Sequence, residues 1–494
     1  ADLPGAFAWS VDAAEEASSI AAPDDALAHW ERVIELWPYA TYGDRVRAGS
    51  LSEVARRASD AANHSGAMNR AAELARLAIE SAQTQRERAQ AGLTLAPLLT
   101  PLVTGDTTEE IAVATTAIAE AGDDRELVAR GRFILARAHL LAGRFGDAIP
   151  LADKVAADGR RLGLDDLALG ARATAFLARC QLGDGDPAEE VALAEAATAS
   201  DDIETGLWVL TRLADWWWPT DTVKGERSAL AAYDYAVDHG VRTSIRGVWA
   251  RETLVLCRWQ GGNWDGIEEL ANAEPLAIND ATAGTVALES RVDIARGRLD
   301  LARRRLELAI KVTTDALGRA FIAVAMVEAS LAQGDPAAAV AVCVENLADL
   351  PPQSGFADFE SLLVARGLGA LADARDAGID IADPAALLAV ADRVEQRASA
   401  TPDPRLTENP LSLLRAHRGR LDGGDPTLWE VAIDQRAELP YEMAECRFYL
   451  AKALLAARDP DGASRQLRAA AETCRELGAV GLLGRIDALA AERG

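Results

Sequence analysis

The 494-residue chain is acidic and rich in small apolar residues, and these properties exclude several classes of protein. Its 77 aspartates and glutamates outnumber its 51 lysines and arginines, so a net charge of −26 disfavours direct binding to nucleic acid or to an anionic membrane. No apolar run is long enough to form a transmembrane helix. Five isolated cysteines are typical of a reducing compartment, and we predict a cytoplasmic protein.

In chain order, the first strong pattern is a pair of helices that ends at Pro38. The second of these helices carries large apolar residues on one face, namely Leu27, Trp30, Ile34 and Trp37. Further helices are predicted from about Leu51 onward. Alternating Val, Ile and Thr patterns of useful length are absent, so the sequence predicts almost no strand.

The clearest unit is the stretch 126–163, which predicts two amphipathic helices joined by a tight turn at Gly143. Apolar residues of its first helix recur at spacings of three and four, as seen at Phe133, Ile134, Ala136, Leu140 and Leu141. Phe145 follows the turn as a wedge, and Ala148 provides the small side chain needed where two helices cross closely. This order of features is typical of a tetratricopeptide hairpin.

Related turns recur along the chain, mostly at intervals of about 34 to 42 residues, with less regular equivalents near Lys224-Gly225 and Asp383-Pro384 and one longer gap before Asp383. They are predicted at Gly66, Gly105, Gly143, Gly185, Gly262, Gly297, Gly334 and Gly424, and at a glycine-free version at Arg458. The small crossing residue recurs at Ala71, Ala302, Ala339 and Ala463. The predicted fold is therefore all-α: one tetratricopeptide-like solenoid over residues 1–494, a superhelix of about eleven or twelve hairpins. Proline-rich stretches predict irregular connections near 350–355 and 399–409.

Motifs that carry chemistry are absent from the sequence. It has no phosphate-binding loop, no H-E-x-x-H, no C-x-x-C and no G-x-S-x-G, and its five histidines have no metal-ligand spacing. We therefore predict no catalytic residue, no metal and no cofactor. Cys446 and Cys474 lie symmetrically about one turn. They are predicted to form either a buried contact pair or a disulfide bridge.

Residues 207–264 hold seven of the eleven tryptophans, and this zone is the candidate site. One helix carries Trp208, Arg212 and Trp216 on a single stripe, and the next carries Arg242, Arg246, Trp249, Glu252 and Trp259. First helices of tetratricopeptide hairpins usually line a concave groove, where tryptophan and arginine suit a flat, anionic or sugar-like ligand. The alternative is that these tryptophans pack between hairpins. Trp264, at a wedge position, is assigned to packing.

The sequence also resembles a known family over essentially its whole length. The resemblance rests on DALAHWERVIELWP at 25–38, RGRLDLARRRLELA at 296–309, and the longer stretches 239–270 and 425–483. These resemble the C-terminal helical-repeat region of large ATP-binding LuxR-type transcriptional regulators. In that family an ATPase precedes the repeats and a helix-turn-helix domain follows them. Neither flanking motif lies in this sequence, so the resemblance implies either the sensor region alone or a relative that never had the flanking domains.

Three functional hypotheses follow, of which the third is an enzyme whose unrecognised site is assembled from distant repeats. In the first, the chain is a sensor that binds a small-molecule inducer or a partner protein in its groove and signals to an ATPase switch and a DNA-binding head outside these residues. In the second, it is a stand-alone tetratricopeptide scaffold whose groove takes a segment of another protein. The first two predict binding without catalysis, and both leave open whether copies of the chain associate.

Overall fold

The structure is a computed structural model that describes residues 3–20, 22–99, 107–217, 221–313, 316–349, 359–381, 384–398 and 404–491. These residues form twenty-six α-helices and two short 3-10 helices, Trp37–Tyr39 and Ala96–Leu98, with no strand in the described ranges. The predicted all-α class is confirmed. Among the described residues, no helix combines the length and the apolar character needed to cross a membrane.

The first fourteen helices cover the N-terminal half of the chain. They are α1 Leu3–Ser19, α2 Pro23–Leu36, α3 Tyr42–Ala48, α4 Leu51–His64, α5 Met68–Ser81, α6 Gln85–Leu95, α7 Thr108–Ala121, α8 Arg125–Leu141, α9 Phe145–Leu162, α10 Asp165–Gln181, α11 Pro187–Thr198, α12 Ile203–Trp217, α13 Thr222–Asp238 and α14 Ile245–Gly261.

The remaining twelve helices continue to the C-terminal end. They are α15 Trp264–Ala273, α16 Ala283–Ala295, α17 Leu299–Val312, α18 Ala316–Ala332, α19 Pro336–Asp349, α20 Phe359–Asp376, α21 Pro384–Ala398, α22 Pro404–Leu421, α23 Pro426–Asp434, α24 Pro440–Ala456, α25 Pro460–Leu477 and α26 Val480–Ala491. With α3 and α26 set aside, consecutive helices of the described chain form twelve pairs, in agreement with the predicted hairpin array.

The turns between paired helices form largely where the sequence predicts them. Six of the predicted glycines have positive φ angles, namely Gly66, Gly143, Gly262, Gly297, Gly334 and Gly424. Gly183, rather than the predicted Gly185, has the positive φ in its turn. Gly185 has a different role: a Cβ atom there would lie only 2.5 Å from the Cys180 sulfur. Arg458 adopts the same conformation without being glycine, with φ of 64°. Gly105 lies outside the described residues.

The predicted crossing alanines are all fully buried. This holds for Ala71, Ala148, Ala302, Ala339 and Ala463. A methyl group is the largest side chain that allows two helix backbones to approach this closely, so these positions determine how tightly each hairpin packs.

The chain divides into two compact units. Unit 1 comprises Ala1–Leu213 and Ala231–Ala250, and unit 2 comprises Ala214–Leu230 and Arg251–Gly494. The prediction of one continuous solenoid stays a prediction. Of the two predicted irregular connections, 350–355 and 399–403 lie outside the described residues, but the chain is helical from Pro404. The prediction for 404–409 is wrong, since a proline is well suited to the first helical position.

The apolar cores of the two units differ. In unit 1 an N-terminal cluster around Phe7 and Trp30 is followed by several small clusters between successive hairpins. In unit 2 a single cluster extends from Val255 to Ile486. Helices at the end of unit 2 pack against those at its start: the Arg296 guanidinium donates to the carbonyl oxygen of Leu477 at 3.3 Å. Unit 2 therefore closes upon itself, with one apolar cluster extending through its helices from α14 to α26.

Candidate functional site

The eight predicted site residues are distributed over both units. Unit 1 contains Trp208, Arg212, Arg242, Arg246 and Trp249, and unit 2 contains Trp216, Glu252 and Trp259. Those in unit 1 that interact with one another define the candidate site, so this group is described first.

Trp208 of α12 lies against two side chains of α8, a helix two hairpins earlier. Its ring makes an edge contact with Phe133, with ring centroids 6.1 Å apart. The Arg137 guanidinium carbon is 5.7 Å from the centroid of Trp208 and 6.0 Å from that of Phe133. All three side chains are only partly buried. One arginine is thus held against two aromatic rings at a position that water still reaches.

A glycine of α10 makes this contact possible. α10 comes between α8 and α12 in the series of first helices, and a Cβ atom at Gly170 would be 2.8 Å from the Phe133 ring. Any other residue there would displace Phe133. Because Gly170 of α10 has no side chain, Phe133 of α8 extends past it and contacts Trp208 of α12.

Arg246 of α14 adds a second arginine, held by a carboxylate. Its Nε donates to Glu204 Oε2 at 2.7 Å, and the Arg246 side chain is 26% exposed. The other carboxylate oxygen of Glu204 is 3.9 Å from the His64 ring. Glu204 lies in the first turn of α12, where the positive end of the helix dipole favours a carboxylate.

Three arginines in this region repel one another. The pKa of Arg137 is lowered to about 10, chiefly by burial, which Glu110 opposes and to which the positive charges of Arg246 and Arg212 add. The pKa of Arg246 is also lowered, first by burial and then by Arg212, although Glu204 opposes both. Arg137 and Arg246 therefore carry their positive charges in surroundings that disfavour them. We call Phe133, Arg137, Trp208, Arg212 and Arg246 the arginine–tryptophan cluster.

Arg137 differs from most arginines of this chain because it has no anionic partner in the part of the chain that the structure describes. Among the described residues it makes no hydrogen bond and no ion pair, and its contacts are those with the two rings. Elsewhere on the same helix, Arg130 pairs with Glu126 at 3.1 Å and with Asp166 at 3.2 Å. The N–H donors of Arg137 are therefore available to a ligand.

Arg242 does not belong to the stripe on which it was predicted. α13 ends near Gly240, whose φ is +71°, and α14 begins only at Ile245. Arg242 lies in the intervening turn and is exposed. The Ser244 hydroxyl accepts from the Gly247 backbone N–H at 3.2 Å, so the new helix starts at this serine. The prediction that Arg242 and Arg246 lie on one face of the same helix is therefore wrong.

Trp249 and Trp216 are both partly buried. Trp216 makes an edge contact with Trp217, with centroids 6.5 Å apart, and the ammonium of Lys224 lies 4.1 Å from the centroid of Trp217. The role predicted for these two residues stays a prediction. Trp218, the third tryptophan of this run, lies outside the described residues.

The two remaining predicted residues lie inside unit 2. Trp259 is 2% exposed and stacks on Trp264 with centroids 4.9 Å apart, while the Arg291 guanidinium is 4.3 Å from its ring centroid. Glu252 accepts from the Thr285 hydroxyl at 3.4 Å. The surroundings of Trp259 leave its ring little surface for a ligand, and Trp264 packs as predicted.

Arg137 and Phe133 were not among the predicted site residues. Phe133 fits the apolar stripe of α8, and nothing in the local pattern shows that it contacts a tryptophan 75 positions later. The available signal was the four-residue spacing of Phe133 and Arg137, which places both on one face of a helix.

Sites for metal ions or disulfides are not found in the part of the chain that the structure describes. No group of three or more His, Cys, Asp or Glu side chains there has the geometry to bind a metal ion. Cys446 and Cys474 are buried and unbridged. The surroundings that bury them also raise their pKa, so both are held as thiols.

Comparison with known proteins adds little to this description. No family model matches the sequence, and no curated protein matches it. Solved structures with some similarity include the APC/C hetero-tetramer Cut9-Hcn1, which is 11% identical with a TM-score of 0.28 over 96% of this chain and 95% of that chain. Another is a circular tandem repeat protein with novel repeat topology, 17% identical with a TM-score of 0.13, over 99% and 95%. Both TM-scores are low, so the fold class stands on the helices themselves.

Proposed function

We propose that this chain is a ligand-binding helical-repeat scaffold, and that the arginine–tryptophan cluster of unit 1 is where it binds its ligand. The observation that carries the proposal is Arg137, which is held against Trp208 and Phe133 without an anionic partner among the described residues. Proteins rarely leave a partly buried charge in this state unless another molecule completes its contacts. The proposal assigns binding, not catalysis, to the chain.

The resemblance to LuxR-type regulators supports a more specific form of the proposal. In that form the chain is the sensor region of a cytoplasmic transcriptional regulator, and ligand binding shifts the equilibrium between two of its states. The signal then passes to an ATPase switch and a DNA-binding head outside these residues. The gene sequence on both sides of the region encoding the chain tests this form, which fails if it encodes neither a phosphate loop nor a helix-turn-helix.

A second candidate is a protein-interaction scaffold, and a different surface favours it. In the first three helices and the turn between them, large aromatic side chains are unusually exposed: Trp9 is 63% exposed, Tyr39 61% and Tyr42 85%. Exposed aromatic rings of this size are more typical of a protein interface than of an ordinary surface.

Native mass spectrometry separates the two candidates. We expect the chain, incubated with a small-molecule extract of the source cells, to retain a small mass that Trp208→Ala loses, because the ligand loses its stacking surface. The matched control is Trp9→Ala, which removes an exposed tryptophan and should leave the small mass bound. Circular dichroism checks that both variants fold.

Two results of this experiment would contradict the proposal. Retention of the small mass by Trp208→Ala would remove the arginine–tryptophan cluster from consideration. A bound polypeptide that Trp9→Ala loses and Trp208→Ala keeps would favour the protein-interaction scaffold.

A further inference from the structure

The charges around Arg137 constrain the chemistry of the ligand. The chain carries 77 acidic residues, yet among those described none lies within ion-pair distance of Arg137. Glu110 of α7, which is itself buried, acts on Arg137 through space and raises its pKa. Glu204 already pairs with Arg246. Among the described residues, Arg137 therefore carries a positive charge that no carboxylate of the chain pairs with.

The contacts of Arg137 also constrain the shape of the ligand. The Arg137 guanidinium lies against Trp208 and Phe133, and among the described residues its N–H donors make no hydrogen bond, so they are free to bind a ligand. A guanidinium binds a carboxylate or a phosphate through two parallel hydrogen bonds. The partly exposed ring of Trp208 offers a flat apolar surface beside it.

We propose that the arginine–tryptophan cluster binds a planar organic anion, whose charged oxygens accept hydrogen bonds from Arg137 and whose ring lies against Trp208. This inference rests on the proposed function and adds the chemical class of the ligand. A carboxylate and a phosphate share the required chemistry, and the probes below distinguish them.

The first test uses stability and requires no ligand. Arg137→Met keeps the length and the contact with the two rings but removes the charge that the surroundings disfavour. We expect its melting temperature to rise by about 1 to 3 °C. Arg130→Met, on the same helix, removes an arginine that is paired with Glu126 and Asp166, so its melting temperature should stay level or fall.

The second test measures binding by fluorine NMR relaxation of small probes. The probes are 4-fluorobenzoate, 4-fluorophenyl phosphate and the neutral 4-fluorobenzyl alcohol, with inorganic phosphate as competitor. We expect at least one anionic probe to bind the unmodified chain and Arg130→Met, and to bind Arg137→Met about 10- to 100-fold more weakly. The neutral probe should not bind. Which anion binds more tightly identifies a carboxylate or a phosphate ligand.

The outcomes separate the ligand class from the proposed function. If only the neutral probe binds, and Trp208→Ala abolishes that binding, the proposed binding function stands. The inference that the ligand is an anion is then contradicted. If no probe binds at millimolar concentration and Arg137→Met lowers the melting temperature, Arg137 serves packing alone. That result overturns the anion site, and the proposed function is then lost as well if Trp208→Ala also retains the small mass from cell extract.

Discussion

At the scale of single residues, the interior of unit 2 holds His417 in its neutral form. Its ring is 2% exposed and makes edge contacts with Trp429 and Tyr449, with centroids 5.0 and 5.1 Å away. Gly369 gives it room, since a Cβ atom there would be 2.8 Å from the ring. Burial lowers the pKa of His417 well below its usual range, and the positive charges of nearby arginines lower it further.

This lowered pKa makes the chain sensitive to mild acid. An unfolded histidine binds a proton near pH 6.5, whereas the folded His417 stays neutral, so the unfolded state binds more protons as the pH falls. The stabilisation is complete above about pH 6.5, and the free energy of unfolding should fall by up to about 1.4 kcal/mol per pH unit below it.

Urea denaturation between about pH 7.5 and about pH 5.5 measures this effect. His417→Leu should show a shallower loss of stability with acid than the unmodified chain. His239→Leu, which removes an exposed histidine, controls for the general loss of an imidazole. Equal slopes in the unmodified chain and in His417→Leu would show that His417 binds a proton while folded.

At the scale of helices, α16 is the element that departs most from an amphipathic pattern. All its residues from Ala283 to Ala295 are buried, including Glu289, Arg291 and Asp293. These charges are paired with neighbouring hairpins: Arg251 with Glu289 at 2.9 Å, and Arg291 with Glu328 at 2.7 Å. A helix that is buried on every side has few alternative positions, because each charge must meet its partner.

Removal of one partner from this helix should be costly. Glu289→Ala leaves the Arg251 guanidinium, 3% exposed, without its carboxylate, and we expect a loss of about 3–5 kcal/mol in the free energy of unfolding. The matched control is Glu35→Ala, whose pair with Arg32 is at least half exposed and should contribute about 0–1 kcal/mol. Chemical denaturation of both variants gives the comparison. Similar losses in the two would mean that the buried pair adds no more than a surface one.

Helices and turns were largely predictable from sequence, whereas the partners of charged side chains were not. The turn at Gly143 and the crossing at Ala148 depend on residues within one hairpin, so a local pattern indicates them. The ion pair of Arg251 joins residues 38 positions apart, and α16 is buried because several hairpins surround it. The same reason explains why Arg137 was missed: its importance depends on Trp208, on another hairpin.

At the scale of the whole molecule, unit 2 is distinguished by the packing of its last helices against its first. Besides the Arg296 contact, the backbone N–H of Thr222 donates to the Glu438 carboxylate at 3.1 Å, across 216 residues. Trp264 lies 5.2 Å from the ring of Tyr441, at the start of α24. Contacts of such sequence separation form late and join distant hairpins into one cooperative core.

Two glycines of unit 2 allow this closure to be measured. Gly262 and Gly334 both end a first helix with positive φ, at 83° and 77°, so alanine at either should cost about 1–2 kcal/mol from backbone strain alone. They differ in their neighbours. A Cβ atom at Gly334 would meet nothing within 4 Å, whereas one at Gly262 would lie 2.9 Å from both Leu477 and the rigid ring of Pro440.

The difference between the two substitutions therefore reports the closing contact, free of the strain they share. We expect Gly262→Ala to lower the free energy of unfolding by about 1–3 kcal/mol more than Gly334→Ala, because the new methyl group pushes α24 and α25 away. Hydrogen exchange should show faster exchange of amides around Leu477 in Gly262→Ala and unchanged rates there in Gly334→Ala. If the two variants lose equal stability and exchange alike, the last helices adapt to the methyl group at no cost, and the closure of unit 2 contributes little to its stability.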